Sequence, residues 1–294
     1  MVFNPGNSRA LNVIWVYENI QKSPAFYGRL DILLLLSSVS LWRRNHREDN
    51  CILYCDEMSY DVLSKLNVID FWHQIKPIPN QRKINKSVFW ASSKLQVLAD
   101  ATDHVIIMDH DTHVYRPLKP VLNLDKVYVT NLEKGQNYYP NITDKFVKQL
   151  SYKTRWQMDS VNVSFLNLPD PVFTKEYASL SLDLMEELTE RKAPNPQYLI
   201  FAEQLLLKQL LHEKSIPHTS IISTYWDCKL WDWSEDHDQG IWTIDESYKY
   251  FKHYGPLKGT IKDNREGESY EGELLHLKNC IKMPHIDLSS IKKK

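Results

Sequence analysis

The sequence predicts an α/β fold, a doubly wound sheet flanked by helices. Three observations carry the prediction. Between Leu11 and Leu118, apolar runs of strand length alternate with stretches of helical period, the signature of a parallel-type sheet with crossover helices. Val105-Ile106-Ile107-Met108 is apolar throughout, as expected of a strand buried on both faces. That strand runs straight into Asp109-His110-Asp111, at the carboxyl end, where open α/β sheets bind ligands.

Leu11 to Tyr17 reads as the first strand, and Leu30 to Arg44 as a helix ending in a basic cluster. Asn50 to Cys55 is the second strand; Asp56 then caps a helix through Leu66, with Glu57 in its first turn. Gln74 to Pro79 is a short strand closed by two prolines. Asn85 to Ala99 has helical period, with Val88, Ala91, Leu95 and Leu98 on one side. After the aspartate strand the alternation loosens. Lys126 to Thr130 is a short strand and Asn131 to Tyr139 a polar loop. Val161 to Leu168 alternates as a strand. Asp170-Pro171 opens a helix, Asp as N-cap and Pro at the first helical position. Asn195-Pro196 repeats the device before a helix from Gln197 to Glu213, and Ile216 to Ser223 is a strand. Tyr225 to Trp242 is dense in Trp and Asp. No internal repeat, low-complexity segment or linker is visible.

The length of 294 residues suits one large α/β domain, alone or with an extension. A formal charge of −1 gives no reason to expect general affinity for nucleic acid or membrane surfaces. With 8 glycines, the chain has no Gly-rich phosphate loop. Its 9 Trp and 16 Tyr suit sugar-stacking surfaces as well as a core. Met1 to Arg9 lacks the apolar segment of a signal peptide. Leu30 to Trp42 is too short and too polar to span a bilayer. Cys51, Cys55, Cys228 and Cys280 match no zinc spacing and read as free thiols, so the expectation is a cytoplasmic protein without a membrane span. Two glycosylation sequons, Asn141-Ile142-Thr143 and Asn162-Val163-Ser164, would go unused there. The Lys292-Lys293-Lys294 tail reads as a solvated end.

Two aspartates one residue apart on an extended chain point to the same side and converge on one point. Their repulsion is relieved by a cation, and paired hard oxygen ligands suit Mg²⁺ or Mn²⁺. Met108-Asp109-His110-Asp111-Thr112-His113-Val114-Tyr115-Arg116-Pro117-Leu118 resembles the metal motif of the glycogenin and bacterial galactosyltransferase-like family. Those are GT-A-fold enzymes, with a mixed doubly wound sheet, that use nucleotide sugars with Mn²⁺. The aspartate pair, Thr112, Val114 and Pro117-Leu118 carry the likeness, which extends over about residues 11 to 259.

The resemblance implies further site residues. His253-Tyr254-Gly255-Pro256-Leu257-Lys258-Gly259 is similar to the family's His-x-x-Gly-x-x-Lys-Pro-Trp element, one residue shorter between His and Gly and with Gly259 in place of Pro. His253 would complete the metal site, and Lys258 would meet the leaving phosphate. His276-Leu277-Lys278 is the rival pair. Ala202-Glu203-Gln204-Leu205-Leu206 resembles the Asp-Gln-x-Leu-Leu element lining the sugar pocket, with Glu203 in place of Asp. Lys94 matches a donor-facing Lys of a Lys-Leu pair. Asp159 and Asn162, in Asp159-Ser160-Val161-Asn162, match the Asn-Ser-Gly segment beside the donor sugar without its Gly. Tyr17 leaves the first strand where a nucleotide base would lie, and could stack on it. Trp226, Trp231 and Trp233, with Asp232, Asp236 and Asp238, could form an acceptor-binding rim.

Together these readings give a GT-A domain over residues 1–259, its nucleotide-binding half about 11–118 and its acceptor half about 119–259. Residues 260–294 would form an extension packed on the same domain. The expected activity is metal-dependent transfer of a sugar from a nucleotide-sugar donor, a UDP-sugar, to an acceptor hydroxyl; the resemblance implies retention of configuration. The acceptor could be a glycan, a lipid-linked sugar, a protein or modified DNA. Three alternatives compete. An Asp-x-Asp phosphohydrolase wants Thr or Val where His113 stands. A nucleotidyltransferase wants a Gly-rich loop after the first strand, and Tyr17 to Lys22 has no Gly. A non-catalytic sugar-binding protein is separated only by activity or metal binding.

Overall fold

The computed structural model describes residues 10–18, 29–79, 82–135, 150–152, 159–193, 197–254 and 268–281. The α/β class expected from the sequence is the class observed: a large mixed sheet, doubly wound and flanked by helices. Its first half comprises β1 (Asn12–Tyr17), α1 (Arg29–Asn45), β2 (Asn50–Cys55), α2 (Glu57–Lys65), β3 (Gln74–Pro77), α3 (Ser92–Ala99), β4 (Val105–Met108) and β5 (Thr112–Val114). The second half begins with β6 (Val127–Val129), β7 (Asn131–Lys134), β8 (Ser160–Asn162), β9 (Phe165–Leu168) and α4 (Pro171–Glu190). A continuous helix α5 then runs from Gln197–Ile200 through a π-helical segment, Phe201–Leu205, into Leu206–Glu213. There follow β10 (His218–Ile222), β11 (Thr224–Asp227), β12 (Asp232–Asp236), β13 (Gly240–Trp242), the single turn α6 (Ile244–Ser247), β14 (Phe251–His253) and α7 (Glu268–Ile281).

The eight-stranded sheet has the order β13-β10-β6-β9-β4-β1-β2-β3. β1, β2, β3 and β4 are mutually parallel, and β9 runs antiparallel to both β4 and β6. Period-2 alternation divides the core. On β4, Val105 and Ile107 join the layer of α3, α4 and α5, while Ile106 and Met108 join that of α1 and α7. β1 does the same with Ile14 on one face and Val13 and Trp15 on the other. Strands buried this way have nowhere to place a polar side chain, which explains the unbroken apolar run at 105–108. A four-stranded sheet, β12-β11-β7-β8, and the antiparallel pair β14-β5 lie beyond the carboxyl end of the main sheet. α7 packs on α1, where Leu277 and Ile281 are buried and Arg44 Nη2 donates to the Cys280 carbonyl at 2.7 Å. Among the described residues no helix is long and apolar enough to cross a membrane.

Several boundaries depart from the sequence reading. The helix expected over Asn85 to Ala99 starts only at Ser92. Asn85 Oδ1 instead accepts from Ser87 N and Ser87 Oγ, at 3.2 and 2.7 Å, and this local bonding competes with the helix ladder. The strand expected over Val161 to Leu168 is two strands, β8 and β9, in different sheets. The break falls at Val163-Ser164, where Asn162 Oδ1 takes the Ser164 N–H at 3.1 Å. Asn131 to Lys134, expected in a loop, is strand β7. The Trp- and Asp-rich stretch contributes β11, β12 and β13. The Asn195-Pro196 cap, the sequon at Asn141 and the Lys292 to Lys294 tail lie outside the described residues.

Candidate metal centre and adjoining cleft

β4 delivers its three following residues to different neighbours. Asp109 continues the side of Ile107 and meets Lys94 on α3, Nζ to Oδ1 at 3.0 Å. His110 continues the side of Met108 and meets Asp31 on α1, Nε2 to Oδ1 at 3.0 Å, with its ring edge-on to Tyr17. The chain then turns: the Thr112 N–H donates to the Asp109 carbonyl at 3.0 Å. This turn, rather than the alternation of an extended chain expected from the sequence, carries Asp111 round beside Asp109. Two further bonds hold the turn to the residue just before β9, since the Ser164 carbonyl accepts from Asp109 N at 2.7 Å and from Thr112 Oγ1 at 3.2 Å.

The third side chain comes from the far end of the chain. β14 pairs antiparallel with β5 so that His253 lies opposite Thr112, and Tyr254 N–H donates to the Asp111 carbonyl at 2.9 Å. His253 Nε2 is 3.7 Å from Asp111 Oδ1. One ligand atom each from Asp109, Asp111 and His253 lies within 4.8 Å of the other two. Two carboxylate oxygens and an imidazole nitrogen converging in this way suit a hard divalent cation, and Mn²⁺ accepts the nitrogen readily.

Behind the cluster, Lys94 Nζ sits between Asp109 and Glu203, 2.8 Å from Glu203 Oε1, and also donates to the Val163 carbonyl at 3.3 Å. Lys94 is 8% exposed and Glu203 4%. Burial opposes the charge on Lys94, but the fields of Asp109 and Glu203 outweigh it and hold the ammonium above the ordinary lysine range. Burial likewise pushes the Glu203 carboxyl up, against the pull of Lys94. Glu203 lies within the π-helical segment and is buried there with Phe201, Ala202 and Leu205; such segments occur frequently at functional sites.

The other sequence candidates divide. Asn162 Nδ2 donates to Glu133 Oε1 at 3.0 Å. The amide of Gln204, oriented to satisfy both its ends, donates to Glu133 Oε2 at 3.1 Å and to the Val161 carbonyl at 3.3 Å. These two residues therefore meet at a carboxylate that sequence reasoning missed. Glu133 sits on β7, in the stretch expected to be a loop, and its only sequence signal is the polar–apolar alternation Asn131-Leu132-Glu133. Asp159 stands apart from the cluster, bonded to Tyr225; burial and the Asp159 charge together push that phenol up. Tyr17 is 5% exposed and packed against His110, so it forms a wall of the core beneath the turn rather than an open platform for a base. His276 lies on α7 with Nε2 3.3 Å from Tyr115 Oη, and is not one of the three convergent ligands. Lys258 lies outside the described residues. The four cysteines are free.

A cleft of about 360 Å³ opens beside His253 and Lys252, with Glu133, Asn131 and Asn162 on its polar side and Trp226, Trp231 and Trp233 on its aromatic side.

A family model described as a family of unknown function, DUF6734, matches residues 19–263. The chain belongs to this family. A comparison of this DUF6734 chain with curated proteins finds no match. Among solved structures it is similar to a galactosyltransferase, LgtC, in complex with donor and acceptor sugar analogs: 10% identity, TM-score 0.39, covering 71% of this chain and 73% of that one. It is also similar to the apo form of the glycosyltransferase GlyE of Streptococcus pneumoniae TIGR4, at 12% identity and a TM-score of 0.38, covering 71% of this chain and 45% of that one. An active-site mutant of LgtC is similar at 11% identity and a TM-score of 0.38, with 71% and 72% covered. The DUF6734 match spans the candidate metal ligands, the Lys94–Glu203 pair and the Trp-lined cleft alike.

Proposed function

We propose that this chain is a metal-dependent glycosyltransferase that moves a sugar from a UDP-sugar to an acceptor hydroxyl, with retention of anomeric configuration. The observation that carries the reading is the convergence of Asp109, Asp111 and His253 at the carboxyl end of the central strand. The donor set fits Mn²⁺ or Mg²⁺, and that end of the sheet is where a nucleotide would lie. Bound there, such a cation would supply Lewis-acid stabilisation to the diphosphate as negative charge develops on it. The likeness of residues 108–118 to the glycogenin-like metal motif supports the donor class and retention.

The protein's own residues set up the site. Asp109 and Asp111 would hold the cation from one turn and His253 from the paired strand. Lys94 fixes the rotamer of Asp109 and balances the two carboxylates when no cation is present. Glu203, held by Lys94, and Gln204, held by Glu133, would line the donor-sugar side. Lys258 would meet the leaving phosphate, a role that rests on the motif alone. The acceptor class is left open by these residues among a glycan, a lipid-linked sugar, a protein and modified DNA.

The test is release of UDP from UDP-glucose and UDP-galactose with Mn²⁺, for wild type, Asp111→Asn, His253→Ala and His276→Ala. Wild type should release UDP and lose this activity in EDTA. Asp111→Asn and His253→Ala should fall at least about a hundredfold, roughly 2.7 kcal/mol of barrier, and His276→Ala should fall much less. Undiminished Mn²⁺-dependent release by Asp111→Asn would refute the assignment.

A further inference from the structure

The hairpin β11–β12 places three tryptophans in one cleft. Trp226 and Trp233 are cross-strand partners with ring centroids 5.4 Å apart at 78°, and Trp231 meets Trp226 edge-on at 6.5 Å. Trp231 is 64% exposed, yet its backbone has φ +55°. A bulky residue in the left-handed region is disfavoured, and burial does not reward this one. The turn holds it there: Asp227 Oδ1 accepts from the N–H groups of Lys229 and Leu230, at 2.8 and 3.2 Å, and the Asp227 carbonyl from that of Trp231 at 2.8 Å. The side chain thereby lines the cleft that reaches His253.

We propose that this cleft is an acceptor subsite and that its occupant is a neutral, hydroxyl-rich saccharide. The inference rests on the proposed transferase reading, because it is the neighbourhood of His253 that makes the bound sugar an acceptor. The chemistry of the walls selects the class. Aromatic faces take the C–H face of a pyranose, and the carboxylate of Glu133 and the amide of Asn131 suit hydroxyl groups. The lining carries two carboxylates, Glu133 and Asp232, against the single ammonium of Lys252, and this balance weighs against phosphates and acidic sugars and hence against DNA as the acceptor. A volume of about 360 Å³ lies at the small end of ligand pockets, roughly 300–1,000 Å³, enough for one or two sugar rings and too small for a folded segment.

The experiment applies the full chain to a glycan array of neutral, sialylated and sulfated glycans. The best binder is then titrated by tryptophan fluorescence, with UDP–Mn²⁺ binding measured on the same samples by calorimetry. Neutral glycans should bind, and sialylated and sulfated ones should not. Trp231→Ala should weaken glycan binding at least tenfold and Trp231→Tyr less than threefold, with melting temperatures near wild type and UDP–Mn²⁺ affinity unchanged. Absence of glycan binding, preference for acidic glycans, or binding indifferent to Trp231→Ala overturns the proposal. If UDP–Mn²⁺ binds while no glycan does, the acceptor inference fails and the transferase reading stands. If neutral glycans bind through Trp231 but UDP–Mn²⁺ does not bind, the saccharide site stands and the transferase reading fails.

Discussion

Glu203 and Lys94 form an internal ion pair that reaches the candidate metal site through Asp109. A buried carboxylate is costly unless partnered, and Lys94 at 2.8 Å is that partner. Glu203→Gln keeps the shape but removes the charge, leaving Asp109 as the one carboxylate paired with Lys94. Turnover should then fall at least about tenfold, a barrier change of about 1.4 kcal/mol. Binding of UDP should change less than threefold, because Asp109, Asp111 and His253 are intact. Steady-state donor hydrolysis beside calorimetry separates the two effects, and near-normal turnover would make Glu203 a purely structural counter-ion. The pair was half legible in the sequence. Glu203 lies beside the apolar stripe of Leu199, Leu206 and Leu210, so a partner or cavity was required there. Its identity was not legible, because Lys94 lies on another helix and only the fold brings the two together.

At the level of elements, the edge strand β13 is locked to β10 by the absence of a side chain. A Cβ on Gly240 would fall 2.3 Å from Ser223 Cα and 2.7 Å from Ser223 N, so backbone rather than a mobile side chain would have to move. Gly240→Ala should destabilise the protein by roughly 1–3 kcal/mol, the range for overpacking, read as a shift in urea midpoint. A midpoint equal to that of wild type would show that β13 adapts freely. Elements with strong local patterns were legible in the sequence: β1, β2, α1, the capped α2, β4 and α4 all lie where periodicity and caps put them. Short elements were not. β7 is four residues long and carries only one alternation, and β8 and β9 read as one strand because both alternate. The difference lies in Asn162, whose side chain takes the N–H of Ser164 and lets the chain pass from one sheet to another. The aspartate pair was legible in the sequence as a candidate cation site, but the turn that brings Asp109 and Asp111 together depends on a bond, Thr112 N–H to the Asp109 carbonyl, that no spacing rule reports.

For the molecule as a whole, the polar cluster that ties α1 to the segment after β5 sets a pH limit on stability. His46 Nε2 accepts the N–H of Leu118 at 2.9 Å, and Lys119 Nζ pairs with Asp49 at 2.8 Å and Glu48 at 2.7 Å. Burial, reinforced by the charge of Lys119, lowers His46 from 6.5 to about 4. The unfolded chain therefore takes up this proton near pH 6.5 and the folded chain only near pH 4. The stability due to neutral His46 is complete above about pH 6.5 and is lost as pH falls toward 4. His46→Gln can keep an acceptor for Leu118 without the titration. Melting temperature against pH should then fall less steeply between 6.5 and 4 in the variant than in wild type; equal slopes would exclude His46 as a source of the acid sensitivity.

The proposed function requires Asp109, Asp111 and His253 to hold a divalent cation onto a nucleoside diphosphate. Electron paramagnetic resonance of Mn²⁺ titrated with the protein, with and without UDP, reads this directly, because bound Mn²⁺ loses its sharp six-line signal. One Mn²⁺ per chain should bind in the presence of UDP, with affinity at least tenfold lower in Asp111→Asn and in His253→Ala. Mn²⁺ bound equally well by both variants, or no binding with UDP present, would contradict it.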